Sequence, residues 1–243
     1  MSLLMRPARR NHRHRLARTA AHAGVLVPWA NTVVEAELPS FAGEAVAWHY
    51  ARLVPASQDT ALTENFLAGL VEAVPQTVHQ LSKLPLEQIY LACTSAAFTR
   101  PDRVRDIVIE AEATMPVPIV TAFDAIVVAL RRIGASRTVL ATPYPDEVTV
   151  CEATQFDAEG IGVIALGCLG LADGYADIPD GQVAALVTGL GKKALREADA
   201  VVLSCTGWPT SAVARRLRRQ IGKPVITSNL AIAQHALCSR DRR

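Results

Sequence analysis

The sequence predicts an α/β protein built as two pseudo-symmetric lobes with parallel sheets. Three observations predict it. Short runs rich in Val, Ile and Leu alternate with longer segments of helical periodicity, the pattern of strand–crossover–strand units. Half of the residues are hydrophobic but only 5% are aromatic, so the core is made from Ala, Val, Leu and Ile, which suits buried parallel strands. The second half of the chain also repeats landmarks of the first at a nearly constant offset, and 243 residues are enough for two small cores.

The first strand is expected over 24–27, where Val25-Leu26-Val27 runs into Pro28, Asn31, Thr32 and Glu35. A strand at 46–53, a helical pattern at 60–80 and a strand at 87–92 follow. The helix at 101–113 leads to a strand at 117–120, and the helix at 123–133 to one at 138–141. A strand at 161–166 and a helical pattern at 181–197 come next. The chain closes with strands at 199–204 and 224–227 and helices at 210–220 and 229–238. Val139-Leu140-Ala141 runs into Thr142, Pro143, Tyr144 and Glu147, 114 residues after its counterpart at Val25. The stronger echo sets Ile89-Tyr90-Leu91-Ala92-Cys93-Thr94-Ser95 against Val201-Val202-Leu203-Ser204-Cys205-Thr206-Gly207, with the cysteines 112 residues apart. The first lobe is expected over 22–118 together with 224–243, the second over 119–223.

Charge and cysteine usage exclude several classes of function. Six of the 25 basic residues (Arg6, Arg9, Arg10, Arg13, Arg15 and Arg18) lie in residues 1–21, which hold no acid; the 19 left face 23 acidic ones, a net −4. A mildly acidic body with a short basic tail is not the footprint of a nucleic-acid binder. The tail is expected to be disordered or an over-long start, and an Arg-rich, acid-free leader also fits a mitochondrial presequence. No apolar stretch reaches the roughly 18 residues of a membrane span, so neither a membrane nor a nucleic-acid partner is expected. Cys93, Cys151, Cys168, Cys205 and Cys238 show no zinc spacing. Reduced thiols in a cytoplasm fit this odd number better than a disulfide framework. Gly189-Leu190-Gly191 follows no strand and is no dinucleotide fingerprint.

Cys93 and Cys205 each follow a strand-forming run and are expected to precede a helix. Ligands of open α/β sheets bind at the carboxyl ends of strands. A helix N-terminus there favours a thiolate and offers free N–H groups to a carboxylate. Thr94, Ser95 and Thr206 add hydroxyl donors. Two such thiols suit removal of a proton beside a carboxylate from one face and its return to the other, or addition of one thiolate to an activated double bond. Neither route needs a metal, flavin or nucleotide. Cys151, Cys168 and Cys238 lack this context and are expected to pack. His49, His79 and His235 have no acidic partners at metal spacing and are expected to be structural. Asn31 either hydrogen-bonds a substrate carboxylate or caps the next helix. Tyr144 either donates its phenol to an oxyanion or is a partly exposed loop aromatic. Ser228-Asn229 reads first as a helix cap.

These residues resemble the Asp/Glu racemase superfamily, in particular the branch holding maleate cis-trans isomerases and arylmalonate decarboxylases. The matching pieces are Val27-Pro28-Trp29-Ala30-Asn31-Thr32, Leu91-Ala92-Cys93-Thr94-Ser95, Ala141-Thr142-Pro143-Tyr144, Leu203-Ser204-Cys205-Thr206-Gly207 and Gly222-Lys223-Pro224-Val225-Ile226-Thr227-Ser228-Asn229. The resemblance implies flavodoxin-like (Rossmann-like) lobes with the active site between them, no cofactor, and a homodimer. It implies catalysis by Cys93 and Cys205, with Asn31, Thr94, Ser95, Tyr144, Thr206 and Gly207 binding a small mono- or dicarboxylate. The reaction expected is isomerisation or racemisation. The decarboxylases of the branch keep only the second cysteine, so decarboxylation by Cys205 alone is the alternative, and a non-catalytic carboxylate-binding protein is the third reading. Thr206-Gly207-Trp208-Pro209 and Leu171-Ala172-Asp173-Gly174-Tyr175 depart from the isomerase pattern, which leaves the identity of the acid open.

Overall fold

The computed structural model describes residues 20–56 and 61–240; the basic segment lies, up to residue 19, outside them. Two four-stranded parallel sheets form the frame. The first holds β1 (Ala21–Pro28), β2 (Val46–Leu53), β3 (Gln88–Leu91) and β4 (Ile119–Thr121) in the order β2-β1-β3-β4. The second holds β5 (Arg137–Thr142), β6 (Gly162–Cys168), β7 (Ala200–Leu203) and β8 (Val225–Thr227) in the order β6-β5-β7-β8. Each strand of the second sheet takes the place of the strand four earlier in the first. The repeat in the sequence is therefore a repeat of topology.

That order decides where a site forms. The chain moves from β1 outward to β2, then returns to the other side of β1 for β3, so the crossovers leave on opposite faces and a crevice opens between the ends of β1 and β3. A second crevice opens between β5 and β7 for the same reason. The loops at these two switch points carry Asn31, Cys93, Tyr144 and Cys205.

The first sheet is flanked by α1 (Val33–Ala42), α2 (Glu64–Glu72), α3 (Val74–Gln80), α4 (Thr94–Thr99), α5 (Pro101–Thr114) and α6 (Ala122–Arg132). The second carries α7 (Asp146–Ala158), α8 (Asp180–Gly189), α9 (Lys192–Glu197), α10 (Ser211–Ile221) and α11 (Ser228–Arg240). The expected single helices at 60–80 and 181–197 are each broken in two. Pro75 lies in the first turn of α3, where its missing N–H costs nothing. Gly191 takes a φ of 96° between α8 and α9, a conformation that favours glycine.

Strand pairing moves both expected lobe boundaries. Residues 119–121, expected in the second lobe, extend the first sheet, with Tyr90 opposite Val120. Residues 225–227, expected back in the first lobe, extend the second, with Val202 opposite Ile226. Two helices join β3 to β4 and one joins β7 to β8, the helical crossover that adjacent parallel strands need. The helix α11 leans back, packing on α1 and α6, and α4 packs on α7 across the same divide.

Ala122, Ala125 and Ala129 of α6 and Ala231, Ala233 and Ala236 of α11 are buried. Small side chains on these facing helices let them approach closely and fuse the two lobes. One hydrophobic cluster accordingly runs through Val25, Tyr90, Val139 and Val201 across both sheets. A second, with Leu53, Leu70 and Ile89, lies on the outer face of the first sheet. Among the described residues, no helix is long and apolar enough to cross a membrane.

Candidate active site

Cys93 ends the first sheet's central run and is the residue from which α4 starts. Cys205 occupies the equivalent place after β7, but residues 206–210 intervene before α10 begins. The helix expected at 210–220 forms as α10, and a turn separates it from Cys205. Both thiols line one cavity of about 270 Å³, together with Asn31, Thr94, Ser95, Tyr144, Thr206 and Gly207. Every site residue singled out in the sequence lies on that wall. The cavity is also lined by Leu62, Phe66, Asp173, Tyr175 and Asp177, of which Asp173 and Tyr175 lie in the segment that departs from the isomerase pattern. Leu62 N–H donates to the Ala172 carbonyl at 2.7 Å and joins the two segments these residues come from. Cys151, Cys168 and Cys238 do not line the cavity; Cys168 instead donates to Asp146 at 2.7 Å.

The two lobes brace each other through the site. Thr94 donates its hydroxyl to Ser228 Oγ at 3.0 Å, and the Cys205 N–H donates to the same oxygen at 3.1 Å. Thr206 donates to the Ala92 carbonyl at 2.8 Å while accepting from Asn31 Nδ2 at 3.2 Å. The hydroxyl protons of Thr94 and Thr206, expected to meet a substrate, are therefore already engaged in joining the lobes. The Ser95 and Tyr144 hydroxyls also line the cavity, the first 3.8 Å from Cys93 Sγ and the second hydrogen-bonded to Cys205.

Asn31 caps the next helix, the second of the two readings considered for it, and its amide nitrogen also reaches across to the other lobe. Its Oδ1 accepts the Val33 and Val34 N–H groups at 3.0 and 3.3 Å, which caps α1, while its Nδ2 faces Thr206. Arg52 fixes the backbone of the same residue, donating to the Asn31 carbonyl at 2.5 Å and to Glu35 at 2.6 Å. A methyl group at Gly207 would touch Asn31 Nδ2 at 3.5 Å and Cys205 Sγ at 3.8 Å, so a side chain there would fill the space between two lining groups. Ser228-Asn229 is not the cap of α11; Thr227 Oγ1 takes that role by accepting the Leu230 N–H at 3.1 Å.

Glu37, buried on α1, completes the brace. Its Oε1 accepts the N–H groups of Thr210 and Ser211 at 2.8 and 2.7 Å, and its Oε2 accepts Asn229 Nδ2 at 2.9 Å. Asn229 Nδ2 also reaches the Thr206 carbonyl at 3.0 Å. A carboxylate from the first lobe thus holds both ends of the Cys205 loop. Glu37 was missed in the sequence because all its partners lie far along the chain.

Electrostatics correct one expectation. Burial raises the Cys93 thiol, although the Ala96 N–H and the Ser95 hydroxyl, 3.8 Å away, pull the other way. Burial pushes Cys205 up to about 12, against the stabilising Tyr144 hydroxyl and Gly207 N–H. Desolvation outweighs the N-terminal dipole of a helix as short as α4, so burial disfavours the thiolate form of both cysteines. Tyr144 is fully buried and is no exposed loop aromatic. Burial, followed by the charges of Cys205 and Glu152, holds its phenol well above the usual range. It serves as an O–H donor, and its hydrogen bond goes to the Cys205 sulfur.

Known proteins of the same architecture place this site in context. A curated maleate isomerase of Nocardia farcinica (strain IFM 10152) is 29% identical over 231 residues, 90% of this chain and 89% of that one. A cysteine-to-serine mutant of the Nocardia farcinica maleate cis-trans isomerase, solved with a covalently bound succinylcysteine intermediate, superposes with a TM-score of 0.79 at 25% identity, covering 91% of this chain and 93% of that one. An arylmalonate decarboxylase crystal structure shares the fold, with a TM-score of 0.71 at 21% identity over 90% of this chain and 92% of that one. The family model described as arylmalonate decarboxylase (Amdase) matches residues 23–241, from the first strand through the last helix, and the chain belongs to that family.

Proposed function

We propose that the protein is a cofactor-independent isomerase or racemase of a small carboxylic acid, working with Cys93 and Cys205 as a pair. The observation that carries this reading is the convergence of two thiols, from equivalent loops of the two lobes, on one cavity lined by hydrogen-bond donors. A carboxylate bound by Ser95, Tyr144 and the strand-end N–H groups would place its neighbouring carbon between the sulfurs.

Two balanced sequences suit this geometry. In racemisation, the Cys93 thiolate takes the α-proton, the electron pair passes into an enediolate held by the same donors, and the Cys205 S–H returns a proton to the opposite face. In cis-trans isomerisation, the Cys93 thiolate forms a C–S bond to one alkene carbon while Cys205 protonates the other. Rotation about the new single bond and the reverse steps then release the isomer. The relative with a succinylcysteine intermediate supports the second route as the closer analogy. The buried sulfurs favour either route, because a desolvated thiolate near neutral donors is a stronger base and nucleophile than one in water.

The family description supports a second reading, decarboxylation of a disubstituted malonate with Cys205 alone protonating the enediolate. One experiment separates the readings: proton NMR in D₂O with a panel of small acids. Deuterium entering an α-position, or one alkene isomer turning into the other, is the expected result. Carbon dioxide release that survives Cys93→Gly would select the decarboxylase instead, and binding without any exchange would leave a non-catalytic receptor. A cytoplasmic setting is supported by five unpaired thiols. A homodimer is supported by the half-open face of the edge strand β6, where Ile164 and Leu166 are each 39% exposed.

A further inference from the structure

Two buried glutamates stand beside the Cys205 loop, and their surroundings differ. Three N–H donors converge on Glu37. Glu152, on the inward face of α7 with Thr149, Ala153 and Phe156, has no exposed surface at all. Its sole hydrogen-bonding neighbour among the described residues is the Ser204 hydroxyl, a close contact on Oε1, and its Oε2 meets no partner. Ser204 immediately precedes Cys205, and its own N–H is fixed to the Ala141 carbonyl at 3.0 Å. A full negative charge in such a place lacks the donors that would offset its desolvation. A neutral acid fits, since it carries no charge to desolvate and still accepts the Ser204 hydroxyl on Oε1.

We propose that Glu152 is an uncharged carboxylic acid behind Cys205, a positioning residue whose charge state governs how readily that thiol ionises. Burial pushes its carboxyl up to about 8, opposed only by the Ser204 hydrogen bond. When ionised, it raises Cys205 and Tyr144 further. While it stays protonated, the thiolate forms at lower cost. The ionisable groups facing it are few. Cys205 and Tyr144 come from the strand-end loops and Cys151 from α7 itself. The Cys168 thiol of β6 is engaged by Asp146, α4 contributes no titratable side chain, and Arg131 of α6 is taken by Glu159 beyond the end of α7. No cation among these offsets a negative Glu152. The consequence is that ionisation of Glu152 at alkaline pH holds back formation of the Cys205 thiolate.

The proposal rests on the two-thiol reading only for its catalytic meaning, because the test needs no substrate. Alkylation of Cys205 by iodoacetamide, quantified by peptide mass spectrometry, is followed against pH in the wild type and in Glu152→Gln. The two rates should be alike near about pH 6.5, and the variant should pull ahead by roughly tenfold toward about pH 9.5, since one unit of pKa is a factor of ten. A ratio that does not change with pH would mean a purely structural role and overturn the proposal. Should the variant fail to fold, carbon-13 NMR of wild-type protein labelled at the glutamate carboxyls decides it. One resonance should keep the shift of a neutral acid through neutrality and titrate near about 8; if every glutamate titrates in the ordinary carboxylate range, the proposal is wrong. Failure of the D₂O exchange experiment would leave both results standing, so the two readings fail separately.

Discussion

Serine in place of Cys205, or of Cys93, is expected to lower turnover by about 10³-fold or more while the protein stays folded. A general acid or base typically contributes 10²–10⁴-fold, and a hydroxyl is far too weakly acidic to replace a thiol as either partner. The structural side of this expectation rests on burial. Both sulfurs are almost fully enclosed, and serine is slightly smaller, so the loss of packing is small beside the loss of chemistry. Thermal denaturation and circular dichroism of the variants check the fold, and steady-state rates on the acid identified by NMR check the chemistry. Loss from Cys205→Ser with near-normal rates in Cys93→Ser would fit the single-thiol decarboxylase and not the pair.

Tyr144→Phe is the second substitution with a large expected effect. The ring would remain packed against Phe98 and Tyr175, whose centroids lie 6.3 and 5.8 Å away, so the cavity keeps its shape. What disappears is the O–H that supports the Cys205 thiolate and faces the proposed carboxylate site. Removing one such donor costs about 10²–10³-fold in kcat. The sign of the pH effect also follows: without the donor the Cys205 thiol rises further, so its alkylation by iodoacetamide should need a higher pH than in the wild type. An unchanged pH profile with a raised KM alone would mean that Tyr144 only shapes the pocket.

The parts of this protein visible in the sequence are those encoded by local context. The Cys-Thr pair recurs after equivalent strands, and Asn31 and Tyr144 recur in equivalent loops, because the chain repeats one folding unit. Strand runs of Val, Ile and Leu mark their own positions for the same reason. The helices α1 and α7 were not marked, and the cause lies in the site. Glu37, Thr149 and Glu152 point inward and break the apolar periodicity by which a helix is recognised. The polar network was hidden likewise, since Glu37 reaches Thr210 and Asn229 and Thr94 reaches Ser228 across long stretches of chain. Thiol acidity was misjudged because helix dipoles can be read from sequence order, whereas the extent of burial cannot. Departures from local rules gather here around the functional residues, as expected where function constrains packing.

The claim on which the rest depends is that one small molecule lies between two sulfurs. Protection from alkylation measures this directly: the protein is treated with iodoacetamide with and without a saturating amount of the acid found by NMR, and each cysteine is read out separately. The bound acid should slow modification of Cys93 and Cys205 together and leave Cys151, Cys168 and Cys238 unchanged. Protection of only one of the pair, or equal protection of all five, would contradict the account.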